Sequence, residues 1–369
     1  MLIGFDGSRA FIKDRTGTEN YSYQLLLNLA KIDTENQYLV YIRPGFEIKE
    51  NWPKNFKFKV INYQRLWTQL GLSRQTFIDP LNLLFIPAHT LPIFRKPSLK
   101  TVITVHDLGA EYLPQFHQLK QKLYLKWMTH QQLKSATRII AVSNSTKNDL
   151  INKVRLDERK IDVVYEGVDR NIFKILKKDV LVNILKSFDI EFQKYFLFVG
   201  TIQPRKNLDQ LILSFSEFIK DFPDFKLVIA GSKGWMADEI YKLPNSLGIE
   251  DKVKFLGRVS DEELVGLYNG GAALTFISLF EGFGLPILEA FACSCPVLVS
   301  SNSSLPEITE NAGLVVNLNK KEDILNAMKQ IIKESQRQRL IRLGSKRLSE
   351  FSWEKTAKQT RAVFEKSIL

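Results

Sequence analysis

Glu281-Gly282-Phe283-Gly284-Leu285-Pro286-Ile287-Leu288-Glu289 follows an apolar run from Ala272 to Phe280. The run reads as a strand, Gly-Phe-Gly as a tight turn, and Pro286 as the start of a helix, where a missing N–H costs nothing. Strand, turn and helix together build an anion site. Gly282 and Gly284 let backbone N–H groups approach a ligand closely, and the helix start adds unpaired N–H groups and partial positive charge. Glu281 and Glu289 would accept hydrogen bonds from hydroxyls on either side. Phosphate flanked by hydroxyl-rich groups describes a nucleotide sugar. The same residues also suit a surface turn with an ordinary first-turn charge, so the segment alone does not decide.

The strand-then-helix rhythm extends outward from it. Strands are expected near 2–6, 37–42, 57–62, 83–86, 101–105, 138–142 and 161–165, then near 195–199, 226–230, 253–256, 272–276 and 296–299. Helices are expected at 18–32, 117–135, 145–153, 207–221, 236–246, 261–268, 286–293, 304–309, 321–334 and after Ser352. Such alternation argues for parallel sheets covered by helices on both faces. Its appearance twice predicts two Rossmann-like domains, at 1–172 and 173–350, followed by a closing helical segment at 351–369. A chain of 369 residues is long enough for two cores.

Composition narrows the class. Hydrophobic content of 44% and charged content of 25% are those of a globular protein. Apolar stretches fall short of a membrane span. The start, MLIGFDGS, reads as a first buried strand and not as a signal peptide. Cys293 and Cys295 are poorly spaced for a disulfide, and no Cys/His cluster suggests zinc, so a reducing, cytoplasmic setting is expected. The net charge of +12 suits a phosphorylated substrate, an anionic membrane or a nucleic acid. No acid occurs between Glu111 and Asp149. A basic amphipathic helix at 117–135 would suit peripheral membrane association. It equally suits a solvated helix packed on its own domain.

In open parallel sheets, ligands bind beyond the carboxyl ends of the strands, so the strand-end loops carry the chemistry. Gly17 stands at a helix start, where it suits either a diphosphate or an ordinary cap. His106 ends a strand and would project a hydrogen-bonding imidazole, as a sugar contact, a base or a structural residue. Gly200-Thr201-Ile202-Gln203-Pro204-Arg205-Lys206-Asn207 sets Arg205 and Lys206 at a strand–helix junction as fixed cations for a diphosphate. Gly231 and Gly257 end two further strands. They leave room for a planar base bordered by apolar residues such as Leu256 and Val259, or they serve as plain turns. Asp-x-Asp, Walker A and the dinucleotide glycine fingerprint are all missing from the sequence.

Together these segments resemble the retaining glycosyltransferases of family 4, the glycosyl transferases group 1. The resemblance rests on Gly200-Thr201 with Pro204-Arg205-Lys206-Asn207, on Glu281 to Ala290, and on Ser300, Asn302, Leu305-Pro306-Glu307 and Gly313. Val105-His106-Asp107, Val142-Ser143, Glu166-Gly167-Val168-Asp169 and Phe351-Ser352-Trp353 complete it. It implies the GT-B fold, in which two Rossmann-like domains face across a cleft and the C-terminal helix crosses back to the first domain. It implies a nucleoside diphosphate sugar as co-substrate and no cofactor or metal. Arg205 and Lys206 would bind the diphosphate and Glu289 the ribose. Glu281 and the N–H groups of Phe283 and Gly284 would hold the sugar, with Gly200, Gly231, Leu256, Val259, Gly282 and Leu285 lining the donor site. His106 would touch the sugar and Gly17 would border the diphosphate. The family often has Gly-Arg where this chain has Gly200-Thr201, and two glycines near position 17 where this chain has one.

The Asp6-Gly-Ser-Arg9 start is similar to members that transfer mannose from a GDP donor. The expectation is therefore a hexosyltransferase acting on a glycan or lipid-linked acceptor, with no nucleic-acid partner. The alternatives are a sugar-nucleotide epimerase on the same fold and a non-catalytic basic protein that binds a membrane or nucleic acid.

Overall fold

The computed structural model describes residues 1–369 apart from 14, 49, 89 and 109–129. The chain folds as two compact units. One comprises Met1–Gly167 with Ser352–Leu369, and the other Val168–Phe351. The basic helix expected at 117–135 lies mostly outside the described residues; 130–135 are helical.

The first unit is built on a parallel sheet of β1 (Leu2–Asp6), β2 (Gln37–Ile42), β3 (Phe56–Val60), β4 (Leu83–Ile86), β5 (Lys100–Val105), β6 (Arg138–Ala141) and β7 (Ile161–Val163). Its order is β3-β2-β1-β4-β5-β6-β7. The central strands read as nearly continuous apolar runs, because helices cover both faces of such a sheet. Leu83, Leu84, Phe85 and Ile86 of β4 are all fully buried.

The chain end completes this unit. Ser352 caps the helix Trp353–Ile368 by accepting from the Lys355 N–H at 3.2 Å. That helix packs on the helix Gly17–Ile32 and on β5. Phe364 is fully buried, with its ring 5.0 Å from that of Phe85. Removing such a side chain from water contributes about 1.5–3 kcal/mol. Arg361 pairs with Glu35 at 2.7 Å and Lys366 with Asp162 at 2.6 Å, fixing the helix along its length. Gly167 is required by close approach. A Cβ there would lie 2.2 Å from the Trp353 nitrogen.

The second unit repeats the plan with β8 (Tyr195–Val199), β9 (Lys226–Ala230), β10 (Val253–Gly257), β11 (Ala273–Phe276), β12 (Val297–Ser300) and β13 (Gly313–Val316). Its order is β10-β9-β8-β11-β12-β13, and every pairing is parallel. In both sheets the order reverses beside the first strand of the unit. In the second, that switch point lies between β8 and β11, where ligands of doubly wound sheets bind.

The two-sheet expectation is borne out, with local corrections. The helix Lys178–Ser187, which buries Leu181 and Leu185, was not among the expected helices. The helix expected at 321–334 is two helices, Lys321–Ile331 and Glu334–Leu348. The second is mostly polar, but its Leu340, Gly344 and Leu348 recur every four residues and are buried. The strand β13 was not expected. Neither were the π-helical turn Trp67–Leu72 and the helix Ser73–Ile78 that continues it.

Candidate active site

The site in the second unit is assembled from the loops after β8 and β11. Beyond β8 the backbone turns at Gly200 (φ 141°), runs through the 3-10 turn Pro204–Lys206, and reverses at Asn207 (φ 59°) into the helix Leu208–Asp221. The Asn207 side chain donates to the Ile277 carbonyl at 3.3 Å, and the Leu279 N–H donates to the Arg205 carbonyl at 2.8 Å. The two loops are thus joined through the main chain.

Three charged side chains meet at this junction. Lys206 Nζ lies 2.5 Å from Glu281 Oε1, and Arg205 Nη1 lies 2.9 Å from Glu281 Oε2. Arg205 also donates to the Phe280 carbonyl at 3.0 Å, and Ser278 donates to Glu281 Oε1 at 2.6 Å. Lys206 sits over the Phe276 ring, 4.9 Å from its centroid. Burial would raise the Glu281 carboxyl's pKa, but the charges of Lys206 and Arg205 prevail and hold it down at about 2. Two cations and one anion leave a net positive charge. Arg205 keeps 23% of its side chain exposed and Lys206 8%, so Arg205 offers the accessible end.

A serine-rich loop after β12 clamps the acidic turn. Ser303 accepts from the Glu281 N–H at 2.8 Å, and Ser304 donates to the carbonyls of Glu281 (3.0 Å) and Phe283 (2.9 Å). Gly284 takes a positive φ of 110° and opens the helix Leu285–Ala292, with Pro286 in its first turn. Gly282, Phe283 and Gly284 are buried and Leu285 is half-buried.

Glu289 lies further along that helix. It accepts from the Tyr268 hydroxyl at 2.7 Å. Burial pushes its carboxyl up to about 7, with the Tyr268 hydrogen bond acting against the rise and Asp261 adding to it. Glu289 is half-buried by its surface, so water still reaches one side.

Gly231 (φ 159°) belongs to the same floor. A Cβ on it would lie 1.9 Å from the Gly200 carbonyl oxygen, so the loops after β8 and β9 touch backbone to backbone. Leu256 and Val259 flank Gly257 at the end of β10, each half-buried. The Gly231 N–H donates to the Gly257 carbonyl at 2.7 Å, which ties this loop to the other two.

In the first unit, His106 ends β5 with both ring nitrogens against acceptors. Nδ1 lies 3.1 Å from Glu166 Oε1 and Nε2 lies 2.9 Å from the Pro87 carbonyl. The Tyr21 ring meets the imidazole edge-on at 4.6 Å. Burial acts to lower the pKa of His106, but the Glu166 carboxylate, the Pro87 carbonyl and Asp107 outweigh it and raise the value. An imidazolium that donates from both nitrogens fits this setting, whereas a free base does not. Gly17 is exposed in the first turn of its helix, and a Cβ there would meet nothing within 4 Å. Glu19 accepts from the Thr16 N–H at 3.2 Å and closes a capping box around that turn.

The structure thus joins Arg205, Lys206 and Glu281 directly, and sets Gly200, Gly231 and Gly282 to Leu285 on the connected loops. The sequence pointed to Glu281 as a sugar contact and missed its ion pairs with the two cations. It also missed Ser278, Ser303 and Tyr268, and it named Glu166 without its tie to His106. The serines carried a faint signal in the polar run 300–304 after a buried strand; Tyr268 carried none.

Among the described residues, no group of histidine, cysteine or acidic side chains is arranged to hold a metal ion, and no helix is long and apolar enough to cross a membrane. Cys293 and Cys295 are buried free thiols.

Comparison with known proteins places this geometry. The family model "Glycosyl transferases group 1" matches residues 184–347, and "Glycosyltransferase Family 4" matches 16–171. O-antigen chain mannosyltransferase B of Escherichia coli is 29% identical over 71% of this chain and 69% of its own. O-antigen chain mannosyltransferase RfbU of Salmonella typhimurium is 32% identical over 66% of this chain and 63% of its own. The matched stretches therefore span roughly two thirds of each of these relatives. Among solved structures, a sucrose-phosphate synthase of Thermosynechococcus elongatus superposes with a TM-score of 0.79 at 17% identity, covering 99% of this chain and 98% of that one. Anabaena HepE in complex with UDP and glucose superposes with a TM-score of 0.72 at 16% identity, covering 99% of each chain. With both units matched by adjoining family models and the fold shared across the chain, this protein belongs to family 4 of the glycosyltransferases, the glycosyl transferases group 1, and has the GT-B fold.

Proposed function

We propose that the chain transfers a hexose, mannose from GDP-mannose, to a glycan or lipid-linked acceptor, with retention of configuration and without a metal. The observation that carries this reading is the convergence of Arg205 and Lys206 on Glu281 at the switch point of the second sheet. The two relatives named as O-antigen mannosyltransferases support the choice of sugar and acceptor class.

Chemically, the bond from the sugar's anomeric carbon to the β-phosphate oxygen breaks, and its electron pair goes to the phosphate. Charge grows on the diphosphate as it departs. Fixed cations aimed at that position stabilise the transition state without reorganising. Glu281 holds the two cations in place, and its unused lone pairs face a sugar hydroxyl. The acceptor hydroxyl attacks from the face the diphosphate leaves and gives its proton to the departing phosphate oxygen. Glu289 accepts from the ribose hydroxyls. His106 directs both ring nitrogens to Glu166 and the Pro87 carbonyl, so it is a positioning residue that orders the end of its strand and not the base.

A thermal-shift panel with GDP-, UDP- and ADP-sugars tests the donor, since a bound ligand raises the melting temperature by mass action. GDP-mannose is expected to give the largest shift. Release of free nucleotide with an altered sugar, in the absence of acceptor, would instead identify an epimerase.

A further inference from the structure

We propose that the first unit carries a second working surface, separate from the donor chemistry, which seats the protein on an anionic lipid bilayer. It is formed by the helical segment Trp67–Ile78 and the neighbouring stretch 91–96. The two are tied together by hydrogen bonds from the Gln69 side chain to the Leu91 carbonyl (3.1 Å) and from the Ile93 N–H back to Gln69 (2.9 Å). Thr76 Oγ1 accepts from the Lys96 N–H at 3.2 Å.

The inner face of this pair is well packed. Trp67, Leu72 and Leu91 sit in the core of the unit. A Cβ on Gly71 would lie 2.6 Å from the Ile61 side chain, so the segment lies close against the strand end beneath it. The outer face is apolar. Leu66 (64% exposed), Leu70, Phe77, Ile78, Ile93 and Phe94 (76% exposed) all face solvent. Leu66, Leu70, Arg74 and Phe77 recur at three- and four-residue spacing, which makes one stripe. Leu66 also holds a positive φ of 51°, a costly conformation for a large aliphatic residue. Isolated exposed hydrophobics are ordinary, whereas a contiguous set marks an interaction surface.

Charge selects the partner. Between residues 54 and 100 the only acid is Asp79, which is occupied by Lys59 at 2.7 Å and by the Tyr41 hydroxyl at 2.8 Å. Arg65, Arg74 and Lys96 are exposed on or beside the stripe. Apolar side chains ringed by cations suit a bilayer interface, where the former enter the acyl boundary and the latter meet anionic headgroups. A second copy of the chain fits worse, because a two-fold contact would set these cations against themselves. A nucleic acid would use the cations but leave the aliphatic groups wet.

The test uses the full chain in flotation with vesicles of phosphatidylcholine alone and of equal parts phosphatidylcholine and phosphatidylglycerol. The wild type is expected to float with the anionic vesicles and to be released by salt. Leu70→Ser with Phe94→Ser is expected to lower partitioning about tenfold or more. Arg74→Glu with Lys96→Glu is expected to remove the preference for the anionic lipid. Melting temperatures and donor binding report folding; should the apolar double variant melt early, Ile93→Ser carries the same test alone. A wild type that floats with neither vesicle overturns the proposal, as do variants that partition like it. So does a dimer seen by light scattering and broken by Leu70→Ser with Phe94→Ser while no vesicle is bound. Binding of RNA without binding of vesicles overturns it equally.

Discussion

The Lys206 ammonium and the Glu281 carboxylate face each other at 2.5 Å, each side chain less than a tenth exposed. A pair so buried is weak evidence for stability in itself, because desolvation offsets much of the attraction. Removing one member is a different matter. Glu281→Ala leaves Lys206 charged and largely buried without its carboxylate, and should lower the unfolding free energy by about 3–5 kcal/mol. Urea denaturation checks this. A loss below about 1 kcal/mol would mean that the ammonium finds water or another partner.

The same pair has a pH signature. With its pKa held at about 2, against an ordinary 4.5, Glu281 contributes stability that is fully present above pH 4.5. That contribution is lost as the pH falls from 4.5 through 2. Acid unfolding of Glu281→Gln should therefore show a shallower slope in that window than the wild type.

Glu289 should act in the opposite sense. Its pKa stands near 7, so between pH 4.5 and 7 the folded state keeps a proton that the unfolded state has lost. Stability then falls as the pH rises through this window, by up to about 3 kcal/mol, and is flat above it. Glu289→Gln should flatten that slope. It should also remove the fall in donor KM expected of the wild type between pH 6 and 8, as ionised Glu289 becomes available to the ribose. A wild-type KM that ignores pH would count against the ribose assignment.

His106 and Glu166 provide a fourth test. Nitrogen-15 spectra of the four histidines, assigned with a His106→Gln variant, should show the His106 imidazole titrating above the ordinary histidine value. Glu166→Gln should bring its pKa down. A His106 pKa below the ordinary histidine value would restore the base role that the geometry disfavours.

Two glycines give a contrast. Gly167→Ala drives a Cβ into the Trp353 backbone and should cost about 1–3 kcal/mol by overpacking. Gly17→Ala meets open space and should change stability by less than about 0.5 kcal/mol. If Gly17→Ala nevertheless cuts turnover while the fold is untouched, the backbone there lies against the donor.

The two sheets were legible because buried parallel strands read as apolar runs between glycine-rich ends, and β1, β2, β8 and β9 fall where that pattern put them. The strand Gly313–Val316 did not stand out, since Val315 is 45% exposed and only Val316 is fully covered. Glu334–Leu348 hid its helix because its buried Leu340, Gly344 and Leu348 sit among arginines, lysines and glutamines, two of the arginines being buried as well. At the site, the residue types and their loops could be read directly. The pairings could not. Nothing in the spacing of Arg205, Lys206 and Glu281 says that one carboxylate serves both cations, because that depends on β8 and β11 lying side by side. Glu166 is sixty residues from His106 in the chain and reaches it only through the ordering of β5, β6 and β7.

The proposed function requires the Arg205–Lys206–Glu281 cluster to grip the donor's diphosphate. Calorimetric titration of GDP into the wild type and into Arg205→Ala tests this, since Arg205 is the more accessible of the two cations and its loss leaves the buried Lys206–Glu281 pair intact. The expected result is binding by the wild type and affinity lower by about tenfold to a hundredfold in the variant, the scale of one charge-assisted contact. Equal affinities in the two proteins would contradict the claim.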